Sequence, residues 1–145
     1  MLASCAAPRP VTRFEPRATP PYAGSVLSSI HDNFAWFVIG SNAFVGCWAL
    51  GADRYPALRG PWLWRSIAVA QVSLFVQAAL GAGIIGQGIQ VEQFHMFYGF
   101  LCLVAVAILY GYRNNDQVAR YRYLLYGFGS LFIMGLALRA FYVDL

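Results

Sequence analysis

The sequence has 145 residues, of which 59% are hydrophobic and only 11% charged, with a mean hydropathy of +0.55. A water-soluble domain of this size needs more polar surface to cover its core, so the composition points away from one and toward helices that turn apolar side chains into lipid. The net charge of +4 comes from ten arginines and no lysine against six carboxylates; the arginines stand singly between apolar runs, a pattern of membrane orientation rather than of nucleic-acid binding.

The chain opens on a segment, about residues 1–24, that holds Pro8, Pro10, Pro16, Pro20 and Pro21 with Arg9, Arg13 and Arg17. That composition buries too little apolar surface to order itself and predicts a disordered tail. Cys5 ends the string LASC, which looks like a lipobox, but no signal-like segment precedes it. Cys47 and Cys102 fall in apolar runs, where a small hydrophobe is welcome, so no disulfide framework is expected.

The rest, about 25–145, reads as one all-α transmembrane domain. The run SVLSSIHDNFAWFVIGSNAFVGCWAL predicts a first helix over about 25–50, long enough to cross a bilayer. GADRYPALRGPW breaks it with Gly51, Pro56, Gly60 and Pro61, and a second helix follows over about 63–87. After the short GQGIQVEQ connection a third runs over about 91–112, RNNDQVARYR is a polar loop, and a fourth runs over about 121–143. The expectation is an integral membrane four-helix bundle.

Arginine placement predicts orientation. Arg54, Arg59 and Arg65 lie around the first connection, Arg113, Arg120 and Arg122 around the third, and none lies in the second. By the positive-inside rule both arginine-bearing loops face the cytoplasm and both termini lie on the extracytoplasmic side. Trp48, Trp62, Trp64, Tyr110, Tyr112, Tyr121 and Tyr123 fall where an aromatic belt at the inner interface belongs.

Only two histidines occur, His31 and His95, each near the amino-terminal end of an odd-numbered helix. Odd helices run parallel, so both imidazoles fall near one membrane face. Two imidazoles projecting inward from facing helices are a protein's usual provision for a six-coordinate haem; the plainer alternative is two interfacial histidines bonded to headgroups or loop carbonyls. From His95, Gly99, Cys102 and Val106 follow on one stripe, and from His31, Ala35, Val38 and Asn42 do so. Such compact stripes leave room for a flat macrocycle or for a tightly packed neighbouring helix.

Arg139 lies near the outer end of the fourth helix at about the depth of the histidines, where a guanidinium is costly unless partnered. A haem propionate, Glu92, Asp144 or a lipid phosphate would each serve. Gln77 shares a face of the second helix with Gly81, and an intramembrane amide there either bonds a neighbouring helix or contacts a ligand. No third metal ligand stands near the histidines except Asp32 or Glu92, which disfavours a bare metal site.

At this point the sequence resembles one four-helix half of the haem A synthase family. IHDNFAWFVIG resembles the family's first ligand helix, AQVSLFVQAALGAGIIG its glutamine-leucine-glycine helix, and QFHMFYGFLCLVAVAILYGYR its second ligand helix, together about residues 28–113. The resemblance implies His31 and His95 as haem ligands and Gln77 in QAALG as the family's glutamine. It departs from the catalytic half at Ser28 and Asp32, where the family has a glutamate before and an arginine after its first histidine. With one half present, the resemblance implies one haem site and leaves an enzymatic activity open; were there one, it would be that of a haem-dependent membrane oxidoreductase.

The expected function is therefore that of a small b-type, bis-histidine haem protein of a membrane, most simply a bacterial inner membrane, serving electron transfer or haem handling. His31, His95, Arg139, Asn42, Gln77 and Gly99 are the expected cofactor-binding residues, with a quinone as one conceivable redox partner. The rival expectation is a non-catalytic structural or assembly subunit of a larger respiratory complex. In that reading Gly40, Gly46, Gly83, Gly86, Gly127 and Gly129 permit close helix approach, within the chain or to other membrane subunits.

Overall fold

A computed structural model describes residues 26–143. The expected tail, Cys5 within it, and Asp144 lie outside the described residues. The described chain folds as α1 (Val26–Arg54), a 3-10 turn (Pro56–Leu58), α2 (Pro61–Gly86), α3 (Gln93–Gly111), a one-turn α4 (Asp116–Ala119) and α5 (Arg122–Val143). There is no strand among the described residues. Helices α1, α2, α3 and α5 are each long and apolar enough to cross a membrane.

Local chemistry sets each boundary. Pro56 forces Tyr55 into extended backbone, which stops α1, and Pro61 opens α2 at a first-turn position where its missing N–H costs nothing. The α2–α3 connection turns at Gly88, whose φ of +80° suits a residue without a β-carbon. Glu92 caps α3 by accepting from the backbone N–H groups of Phe94 and His95.

Two boundaries differ from the sequence expectation. Gly51 does not end the first helix, which runs on to Arg54. An isolated glycine costs only about 1 kcal/mol in a helix, and the extra turn is held from outside. Arg59 donates from Nε to the Ala52 carbonyl at 2.7 Å and from Nη2 to the Asp53 carbonyl at 2.8 Å, filling acceptors that a helix end leaves open. Second, the polar stretch read as a loop contains α4, because Asn115 Oδ1 accepts from Gln117 N at 2.9 Å and nucleates a turn.

In the bundle α1 packs most extensively on α5 and also on α2, α3 packs on α5, and α2 and α3 touch only slightly. The cyclic order is thus α1, α2, α3, α5, with α1 and α3 diagonally opposed and the α2–α3 seam the loosest side. Glycines bring the tight pairs together. A β-carbon on Gly127 would fall 2.6 Å from Leu50 Cδ2 and 3.1 Å from its backbone N, and one on Gly46 would fall 3.1 Å from the Gly127 carbonyl. Val38, Val45, Leu63, Ile67, Val106 and Ile133 fill the interior, while Phe44, Phe75, Phe100, Phe128 and Phe132 point outward, as lipid-facing side chains do.

Both arginine-bearing connections lie at one end of the bundle, where Arg59 stacks over Tyr123 at 4.9 Å and Arg122 over Trp64 at 5.5 Å. The start of α1 and the finish of α5 meet at the other end, where the Trp36 and Phe141 rings lie 4.9 Å apart.

Candidate functional site

The histidine end is built from all four long helices. His31 sits in the second turn of α1 and is buried, 8% exposed. Helix α2 fixes it twice. Gln77 donates from Nε2 to the His31 carbonyl at 3.0 Å, anchoring the turn that carries the ring. Gly81, one turn farther on, leaves the space the ring occupies: a β-carbon there would lie 3.3 Å from His31 Cε1.

His95 stands in the first turn of α3, whose start the Glu92 cap holds through the His95 backbone N–H at 3.2 Å. Its Nδ1 lies 3.2 Å from the Ala140 carbonyl oxygen on α5. A carbonyl only accepts, so Nδ1 is the protonated nitrogen in this contact. A backbone acceptor on the far nitrogen is the outer-shell support that ligating histidines ordinarily have.

The two rings, from diagonally opposed helices, lie with centroids 5.8 Å apart and planes inclined at 50°. Two imidazole nitrogens each about 2 Å from one metal ion bring their ring centroids to roughly 6 Å, so the pair already stands near that spacing. Among the described residues no cluster of three or more histidine, cysteine or carboxylate groups forms a metal site. A pair of histidines is a donor set that a metal carrying further ligands of its own, such as the iron of a haem, would complete.

The other expected site residues divide. Gly99, one turn after His95, faces open space: a β-carbon there would meet nothing within 4 Å. Arg139 is exposed at the histidine end, with its guanidinium 5.7 Å above the Tyr98 ring. Tyr98 is one turn from His95, and Arg139 precedes the Ala140 carbonyl that His95 uses, so the arginine shares the depth of the ring pair. Glu92, one expected partner for Arg139, is instead spent on the α3 cap.

Asn42 is not brought to the site. It lies eleven residues along α1 from His31, about 16 Å at 1.5 Å per residue, and is wholly buried. Its Nδ2 donates to the Val38 carbonyl at 2.9 Å and reaches the Ala70 carbonyl of α2 at 3.4 Å. It fastens α1 to α2 in the bundle interior. Gln77 likewise bonds a neighbouring helix, as intramembrane amides do, but it does so at the His31 turn; its Oε1 is buried without a hydrogen bond.

Sequence reasoning missed the Ala140 carbonyl and Tyr98. The first carries no side-chain signal at all, and the second is one aromatic among 24 tyrosines, phenylalanines and tryptophans. Glu92 as a cap was missed as well, although a carboxylate placed immediately before an apolar helical run is a start signal.

Comparison of the chain with family models, with curated proteins and with solved structures returned no match. The site has to be read from its own geometry.

Proposed function

We propose that this chain is a small membrane haem protein that holds one b-type haem between His31 and His95. The reading rests on one observation above the others: the only two histidines of the sequence, on diagonally opposed helices, come together with ring centroids 5.8 Å apart. Two features support it. The Ala140 carbonyl takes His95 Nδ1, so that Nε2 would be the metal-binding nitrogen, and the Gln77 bond and the Gly81 seat fix His31 from α2. The likeness of the histidine and glutamine segments to one half of a haem A synthase points the same way.

A haem bound there would supply one-electron chemistry at a potential set by its axial ligands and surroundings. The chain's contribution is to orient both imidazoles, to exclude water from the iron with the apolar bundle, and to offer the Arg139 guanidinium to a propionate. The role is electron transfer or haem handling, with a quinone as a candidate redox partner. Positive-inside placement of the arginine-bearing end would put the haem toward the extracytoplasmic face, and both termini with it, in a bacterial inner membrane.

The test is a dithionite-reduced minus oxidised visible spectrum of the purified protein from haem-replete cells, beside His31→Ala and His95→Ala. A sharp reduced α-band, lost in either variant, supports the assignment. A featureless spectrum from the intact protein refutes it and leaves the non-catalytic subunit of a larger membrane complex as the reading.

A further inference from the structure

The opposite end of the bundle carries a second feature that the histidine site does not use. Where α2 and α3 part, the arginine-bearing end opens into a cleft of about 390 Å³. Its deeper wall is apolar, with Ile67, Ala68 and Leu125, while Arg113 and Arg122 stand on its lining.

Both guanidiniums are held in place by rings rather than by carboxylates. Arg122 lies 5.5 Å from the Trp64 centroid and 5.3 Å from that of Tyr123, and Arg113 lies 5.9 Å from that of Tyr110. A cation–π contact draws on the charge of a guanidinium and leaves its N–H donors for another acceptor. Neither arginine forms a salt bridge among the described residues, and no carboxylate lines the cleft. Across the whole of that end six arginines, Arg54, Arg59, Arg65, Arg113, Arg120 and Arg122, face only two carboxylates, Asp53 and Asp116.

We propose that this cleft is a binding site for an anionic phospholipid, with its phosphate across Arg113 and Arg122 and an acyl chain along the α2–α3 seam. The apolar wall selects a lipid over a free anion, because a soluble phosphate gains nothing from Ile67, Ala68 and Leu125. The two arginines select a net-negative headgroup over a zwitterionic one, whose own ammonium already neutralises its phosphate. The site does not depend on the histidine pair and stands or falls separately from it.

Native mass spectrometry of the full chain in detergent tests it, with phosphatidylglycerol, phosphatidylcholine or inorganic phosphate added. The proposal predicts at least tenfold tighter retention of phosphatidylglycerol than of phosphatidylcholine. It also predicts a loss of at least tenfold in that affinity in Arg113→Gln/Arg122→Gln. Arg120→Gln removes one arginine charge from a residue over the Tyr121 ring outside the cleft and leaves affinity unchanged. Equal retention of the two lipids by the wild-type chain overturns the proposal even if no variant folds. So does undiminished retention by a helical double variant, an equal loss in Arg120→Gln, or inorganic phosphate displacing the lipid at matched concentration.

Discussion

Gly81 and His31 are made for each other: the imidazole lies so close to the α2 backbone that a β-carbon on Gly81 would stand 3.3 Å from Cε1 and 3.8 Å from Nδ1. A methyl group there pushes the ring by a few tenths of an ångström, and a branched side chain occupies its place. If His31 ligates a haem as proposed, Gly81→Ala is expected to retain it with a shifted reduction potential. Gly81→Val is expected to lose the six-coordinate spectrum while keeping its helix content by circular dichroism. An unaltered spectrum in Gly81→Val would show that His31 does not need this seat.

Gln77 acts on the same histidine through its carbonyl. Removing the amide in Gln77→Leu gives up one interhelical hydrogen bond, a loss of roughly 0.6–1.5 kcal/mol. Because the bond anchors the turn that presents His31, haem affinity should fall along with stability. Unfolding in mixed micelles, followed in the presence and absence of haem, separates the two effects; a stability loss with unchanged haem affinity would assign Gln77 a packing role alone.

The α1–α5 contact depends on Gly127 through a neighbouring backbone atom, whereas Gly129 of the α3–α5 contact meets only the Leu109 side chain. Gly127→Ala sets a methyl against Leu50 Cδ2 at 2.6 Å and against its backbone N at 3.1 Å. The side chain can swing aside but the backbone cannot, so the expected cost is about 1–3 kcal/mol, as for other overpacked sites. Gly40→Ala and Gly135→Ala, where a β-carbon meets nothing within 4 Å, should be neutral or slightly stabilising, since alanine is the better helix former. Thermal unfolding of the three variants in one detergent checks the contrast.

Glu92 and Arg139 should prove independent. The carboxylate caps α3, so Glu92→Ala is expected to cost about 1 kcal/mol, as lost caps do. If the histidine pair holds a haem as proposed, Arg139→Gln should instead lower its reduction potential, because it withdraws a positive charge from that end of the bundle. A double-mutant cycle on stability should give a coupling near zero; coupling of 1 kcal/mol or more would restore Glu92 as the partner of Arg139.

Much of the fold was legible because the membrane simplifies the physics. A lipid-embedded chain must satisfy its backbone within each segment, so four apolar runs separated by Pro56, Pro61, Gly88 and the RNNDQVARYR stretch become four long helices. What stayed hidden depends on tertiary partners. Arg59 reaches back to carry α1 past Gly51, and no local pattern announces that. For the site, sequence spacing put His31 and His95 at one depth, and the fold brings them within 5.8 Å. Asn42 was grouped with them because it shares a helical stripe with His31. A stripe continues along the whole helix, however, whereas a site occupies one level of it. The Ala140 carbonyl and the Gly81 seat are products of helix packing, which sequence alone does not specify.

The most direct measurement of the central claim is carbon monoxide binding by the reduced, haem-loaded protein. If His31 and His95 occupy both axial positions of one haem, the wild-type spectrum is unchanged by carbon monoxide, while His31→Ala and His95→Ala, if they retain haem, each expose an axial position and bind the gas. A wild-type protein that binds carbon monoxide, or a haem spectrum that survives unaltered in either single variant, would contradict the account.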